Sequence, residues 1–174
     1  MLPALDHFHF CPYCGASSIE RTQETAIRCP SCSFEFYMSP AASAAALIED
    51  AHGRILVVKR AKDPSKGKFG LPGGFADVGE TLEESLQREV REEVNLTLES
   101  WSFLGGWPNQ YAYKSVIYAV VDNYYTANVE NFDSLRSCQE ELESVHFVDP
   151  KSVDPEDWAF PSLRNAIQCY LNLR

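Results

Sequence analysis

Three glutamates in one short stretch, Glu89, Glu92 and Glu93, are the residues of this chain whose spacing most clearly suggests metal chemistry. They fall in residues 81–94, where Leu82, Leu86, Val90 and Val94 recur every four positions and predict an amphipathic helix. Thr81 with Glu84 three positions on makes a capping box that fixes the helix start. At about 100° per residue, Glu89 and Glu93 lie within about 20° of Leu82, on the apolar stripe itself, with Glu92 about 80° away. Like charges three or four residues apart cost a helix about 0.2–0.5 kcal/mol per pair, and partial burial raises that cost. A solvated acidic face accounts for Glu83, Glu84 and Glu92, but it does not suit Glu89 and Glu93. A hard divalent cation, Mg²⁺ or Mn²⁺, would offset the repulsion through oxygen ligands. On wheel geometry alone, a metal site and an oddly placed acidic face stay equally open.

A second set of metal-type residues stands near the N-terminus. Cys11-Pro-Tyr-Cys14 and Cys29-Pro-Ser-Cys32 are two Cys-x2-Cys knuckles with 14 residues between them. Such a turn points two sulfurs at one cation, and two turns complete a closed tetrahedral thiolate shell. With no open position, the expected role is structural Zn²⁺ binding by Cys11, Cys14, Cys29 and Cys32. His7 and His9 are not needed as ligands, and Cys138 and Cys169 read as buried small hydrophobes.

The elements that must position these groups fall into two units, a zinc ribbon over residues 1–38 and a main domain over residues 39–174. The ribbon is expected as short hairpins too small to fold without metal. In the main domain the sequence predicts strands over residues 41–48, 54–60, 97–107, 113–122 and 142–148. Residues 71–74 read as a break in regular structure, residues 123–138 as a polar insert, and Pro108-Asn109 as a turn. A last amphipathic helix is expected over residues 162–173, with Ser162 as its N-cap. This mixture predicts an α/β or α+β fold. The chain carries 25 acidic and 15 basic residues, a formal charge of −10. Such a charge repels phosphate backbones and anionic lipid, so nucleic acid and membrane surfaces are disfavoured as partners. No secretory signal and no apolar run long enough for a spanning helix is visible, and a cytoplasmic location is expected.

Gly74, five residues, Glu80, seven residues, then Arg88-Glu89-Val90-Arg91-Glu92-Glu93-Val94-Asn95-Leu96 resembles the box of the Nudix hydrolase family, with Asn95 in the place of a glycine. That position reads as a left-handed residue at the helix end, where Asn is the best replacement for Gly. The resemblance implies a mixed β-sheet sandwiched between helices, and hydrolysis of a nucleoside diphosphate linked to a group X. It implies that Glu89, Glu92 and Glu93 bind Mg²⁺ with help from the carbonyl around Gly73 or Gly74. It also implies that Arg88 orients Glu89 and that Glu80 supports the helix start. The family often places its general base before the last strand, and Glu141 stands in that register, with Glu140 and Glu143 as neighbours. A homodimer is a further implication.

A four-cysteine ribbon ahead of such a box resembles the NADH pyrophosphatase branch and its FAD- or ADP-ribose-cleaving relatives, which implies a nucleotide small-molecule substrate. The branch's downstream signature is absent, and Gly105-Gly106-Trp107-Pro108 shares only a Trp-Pro with it. Trp107 and Tyr111 are the candidates for stacking an adenine. Lys59, Arg60, Lys62, Lys66 and Lys68 are the one basic concentration, and Arg60 is the candidate for attracting a diphosphate. Two rivals are a non-catalytic nucleotide-sugar sensor, disfavoured by the complete set of box glutamates, and an enzyme that removes RNA caps, disfavoured by the charge.

Overall fold

The computed structural model describes residues 2–174, which group into two compact units. The smaller unit comprises the chain up to Pro40 together with Gln110–Ala119. Its strands are β1 (Leu2–Pro3), β2 (Glu20–Gln23), β3 (Ala26–Arg28) and β4 (Glu35–Tyr37). An antiparallel sheet runs β2-β3-β4, with Ile27 opposite Phe36, and β1 pairs in parallel with Val116 and Ile117. Among the described residues, Ala4, Leu5, Ala26 and Ile27, with Cys11 and Cys29, are its buried side chains. So few apolar groups bury little area, and a unit of this size has little core of its own to hold it together.

The larger unit comprises residues 41–109 and 120–174. It holds β5 (Ala41–Ile48), β6 (Ile55–Arg60), β7 (Phe69–Gly70), β8 (Gly73–Phe75) and α1 (Leu82–Val94). After these come most of β9 (Ser100–Tyr113) and of β10 (Val116–Asn128), then β11 (Leu142–Val148) and α2 (Pro161–Asn172). β5 pairs in parallel with β10, from Ala41 opposite Val120 to Ile48 opposite Ala127, and antiparallel with β8. A second antiparallel sheet runs β11-β6-β7. Alternation along β5 and β6 divides the core in two. Ala44, Ala46, Ile48, Leu56 and Val58 face the cluster that holds Leu86, Val90 and Val94 of α1. Leu47, Ile55 and Val57 join Leu163, Ala166, Ile167 and Tyr170 of α2. Both faces of these strands are covered, so they read as continuous apolar runs rather than alternating ones. Each fully buried aliphatic side chain contributes about 1.5–3 kcal/mol. The mixed sheets and two helices agree with the expected fold class.

Several local expectations are corrected. β10 continues to Asn128, so residues 123–128 are strand, with Tyr124 and Tyr125 buried where a polar insert was expected. Pairing with the whole length of β5 overrides the polar character of that segment. Pro108-Asn109 lies inside β9, and the turn falls at Lys114-Ser115, where Lys114 takes φ 53°. Gly73–Phe75 is a strand rather than a break. Phe160, not Ser162, is the N-cap of α2; Pro161 occupies the first turn, where its fixed φ is already helical. Ser162 is fully buried, and its hydroxyl donates to Asp122 Oδ2 at 2.5 Å while Ser43 Oγ donates to Asp122 Oδ1 at 2.6 Å. Cys138 and Cys169 are half-buried rather than buried.

Candidate metal and catalytic site

The capping box forms: Thr81 Oγ1 accepts from the Glu84 amide at 3.2 Å, and the Glu84 carboxylate accepts from the Thr81 amide at 2.8 Å. With its start fixed, α1 presents Arg88, Glu89, Glu92 and Glu93 in set directions. Arg88 is the hub. Its Nε and Nη2 donate to the two oxygens of Glu80 at 2.7 and 2.9 Å, a bidentate pair, and Nη2 also donates to the Phe75 carbonyl at 3.1 Å. Its Nη1 donates to Glu89 Oε1 at 2.8 Å and to Glu92 Oε2 at 3.3 Å. The Arg88 hydrogen bonds hold the Glu80 carboxyl down at about 2. Glu80 and Arg88 thus act as a brace that aims Glu89.

The wheel geometry separates the glutamates as the sequence indicates. The Glu89 side chain is 15% exposed against 62% for Glu92. Glu93 reaches inward, and its Oε2 accepts the Gly73 amide at 2.9 Å. Burial, joined by the charges of Glu89 and Glu141, pushes the Glu93 carboxyl up to about 8, against the Gly73 amide and Arg60, which pull it down. Burial likewise raises Glu89, opposed by Arg88 and supported by Glu92 and Glu141. Half-buried carboxylates that resist ionising together are the donor set a divalent cation fits, since its charge removes the penalty. The three glutamates do not close into one shell by themselves. Among the described residues, the four ribbon cysteines form the only group of three or more metal-type side chains with all ligand atoms within 4.8 Å.

Two glycines are steric requirements of this arrangement. A Cβ on Gly73, at φ 148°, would meet the Ala44 carbonyl oxygen at 2.2 Å, because β8 lies close against the alanines of β5. A Cβ on Gly74 would stand 2.5 Å from the Glu89 carboxylate. The loop and the helix touch without room for a methyl group.

Glu141 precedes β11 and is exposed. Its carboxylate is close enough to raise both Glu89 and Glu93. Its neighbour Glu143 is paired with Lys59 at 2.9 Å, and Glu140 is exposed. Arg60 points its Nε to the Pro64 carbonyl at 2.8 Å and lays its guanidinium over the Phe160 ring at 5.2 Å. Trp107 lies over Gly105 and against Tyr124, ring centroids 6.0 Å apart, packed on the core beside α2. Tyr111 belongs to the smaller unit. Of the candidates, the structure gathers Glu80, Arg88, Glu89, Glu93, Gly73 and Glu141, places Glu92 on the exposed flank, and commits Trp107 to packing. The motif groups Gly74, Glu80, Arg88 and Glu89 but not their bidentate bond or close contact, and the proximity of Arg60 to Glu93 is a long-range feature that no local pattern announces.

In the smaller unit the thiols pair across the knuckles. Cys11 and Cys32 Sγ are 3.8 Å apart, and Cys14 and Cys29 Sγ are 3.7 Å apart. A tetrahedron with Zn–S of about 2.3 Å has an edge of about 3.8 Å. The Cys14 amide donates to Cys11 Sγ at 3.5 Å, which orients that sulfur. The donor set and spacing fit a structural zinc ion.

A family model described as the NUDIX domain matches residues 39–168, and the chain belongs to that family. It is similar to an ADP-ribose pyrophosphatase of Methanocaldococcus jannaschii, 43% identical over 72 residues that cover 41% of this chain and 42% of that protein. It is also similar to an NAD-capped RNA hydrolase, NudC, of Haemophilus influenzae, 30% identical over 109 residues that cover 60% of this chain and 41% of that protein. The matched stretches thus span less than half the length of these relatives. The fold is shared with a NUDIX hydrolase from Nitrosomonas europaea, at a TM-score of 0.71, 24% identity, and coverage of 96% of this chain and 92% of that one.

Proposed function

We propose that this chain is a Mg²⁺- or Mn²⁺-dependent pyrophosphohydrolase that cleaves the diphosphate of an adenine dinucleotide or of ADP-ribose and releases AMP. The carrying observation is the half-buried Glu89–Glu93 pair on α1, braced by Arg88 and the Gly73 amide, with the Glu141 charge acting on both. Glu89, Glu92 and Glu93, with a carbonyl of the Gly73 loop, would hold the cation. When bound, it supplies the positive charge that clamps diphosphate oxygens and acidifies a water molecule. Arg88 keeps Glu89 in place, and the Gly73 amide keeps Glu93 in place. Glu141 takes the proton of the attacking water. Arg60, beside Glu93, adds positive charge where the diphosphate would arrive. The four ribbon cysteines hold structural Zn²⁺, and such thiol use suits a reducing, cytoplasmic compartment. No helix among the described residues is long and apolar enough to cross a membrane.

The adenine class is supported by the similarity to an ADP-ribose pyrophosphatase. A second reading, an adenine dinucleotide carried at an RNA 5′ end, is favoured by the similarity to an NAD-capped RNA hydrolase. The charge of −10 favours the small substrate. The test is a panel of ADP-ribose, NADH, FAD, diadenosine polyphosphates, nucleoside triphosphates and NAD-capped RNA, with Mg²⁺ or Mn²⁺ and products resolved by chromatography. AMP from ADP-ribose or a free dinucleotide is the expected result. Pyrophosphate released from triphosphates alone would refute the substrate class, and cleavage confined to capped RNA would establish the second reading.

A further inference from the structure

Asn95 ends α1 in the left-handed conformation, φ 56° and ψ 33°. A glycine would satisfy that backbone at no steric cost, so conformation alone does not account for an asparagine. Its side chain makes a specific long-range bond. Asn95 Nδ2 donates to the Ser134 carbonyl at 2.7 Å, and Ser134 Oγ donates back to the Asn95 carbonyl at 3.0 Å. The pair joins residues 39 apart in sequence.

Two backbone bonds continue the attachment. The Arg136 amide donates to the Val94 carbonyl at 3.1 Å, and the Cys138 amide donates to the Glu93 carbonyl at 2.9 Å. These carbonyls belong to the last turn of α1, which has no partners of its own for them. The Glu141 and Leu142 amides in turn donate to the Cys138 carbonyl at 3.2 and 2.9 Å. A chain of hydrogen bonds therefore runs from the end of the metal-type helix to Glu141. The Glu141 side chain is exposed, yet its charge acts on both Glu89 and Glu93. An exposed carboxylate on a loop keeps such a place only if the loop is tied down.

We propose that Asn95 and Ser134 form a staple that positions Glu141 against the glutamates of α1, a role that rests on the reading of Glu141 as proton acceptor given above. Both are positioning residues that act through Glu141. A change of about 1 Å in the placement of a reacting group costs up to about a hundredfold in rate, so loss of an outer tie should cost less, about tenfold.

The experiment uses the full chain with Asn95→Gly, Ser134→Ala, Ser134→Thr and Glu141→Gln, and Asn95→Gly again combined with Glu141→Gln. Steady-state kinetics on ADP-ribose with Mg²⁺ and amide hydrogen exchange are read for each. Asn95→Gly keeps the left-handed backbone and removes only the side-chain bond. Expected for Asn95→Gly and Ser134→Ala are faster exchange at Arg136 and Cys138, a kcat about tenfold lower, and KM and Mg²⁺ dependence within about twofold of the parent. Ser134→Thr, which keeps the hydroxyl, should restore the parental kcat. With Glu141→Gln already in place, Asn95→Gly should cost nothing further, because the group it positions is gone. Parental kcat in Asn95→Gly, or an undiminished loss in the Glu141→Gln background, would overturn the staple. Parental turnover in Glu141→Gln alone would overturn the reading of Glu141 and the proposal with it. It would be told apart by leaving the exchange differences in place.

Discussion

Glu93 shows what one residue contributes to function and costs the fold. Its carboxyl titrates near 8 in the folded chain, against an ordinary value of 4.5. Between those values the native state binds more protons than the unfolded chain, so the stability of the metal-free protein falls as pH rises from about 4.5 to about 8. Glu93→Gln removes the ionisable group and keeps an oxygen for the Gly73 amide. It should stabilise the metal-free protein at pH 8 by roughly 1–2 kcal/mol, about 3–6 °C for a chain of this size. The same substitution should lower turnover by at least about a hundredfold, since on the proposed function it removes a charge that would hold the cation. Calorimetry in a metal chelator and a steady-state assay check the two halves. An unchanged or lower melting temperature would show that Glu93 is not held under strain. Glu92, exposed and linked to Arg88 at 3.3 Å, should give no such stabilisation as Glu92→Gln, although its turnover should also fall.

At the scale of the element, the helix and the loop that touches it are one device. Gly74→Ala would put a methyl group 2.5 Å from the Glu89 carboxylate, so Glu89 or β8 must shift. We expect a fall of ten- to a hundredfold in kcat with weaker Mg²⁺ activation, and little loss of stability because the contact is with a side-chain tip. A Mg²⁺ titration of activity measures both. Gly73→Ala meets backbone instead and should destabilise the whole unit. What was legible in the sequence follows the same division. Thr81, Glu84 and Asn95 act within a turn of the helix they bound, so caps and ends could be read locally. The i, i+4 stripe of α1 placed Glu89 and Glu93 on its half-buried side. The β8 strand, the continuation of β10 through Tyr124 and Tyr125, and the true start of α2 could not be read. Each is decided by a partner far along the chain: Ala45 for Gly73, all of β5 for β10, and Asp122 for Ser162. The turn expected at Pro108-Asn109 was misplaced for the same reason, because that stretch lies in β9, which pairs with β10.

For the whole molecule, the two units should answer differently to chelation. Removing zinc, or Cys14→Ser, should abolish hydrogen-exchange protection in residues 7–38 while α1 stays protected, because a closed thiolate site supplies folding energy and no reactive water. Protection of β3 that survives chelation would refute a structural role for zinc. The larger unit has a fastening of another kind in α2. At its start, buried Asp122 accepts from Ser162 and from Ser43 of β5, and at its far end Tyr170 donates to Glu49 just beyond β5, which also accepts from Arg174 at 2.6 Å. The last helix is thus fastened to β10 at its start and to the residue after β5 at its far end, and peeling it away would take the Ser162 donor from Asp122 and expose the apolar cluster around Leu163, Ala166 and Ile167 to water. Fraying of this C-terminal segment is therefore not a low-energy excursion. A protease acting on the native protein should find no early cut within α2, and should reach it only through global opening of the sheet.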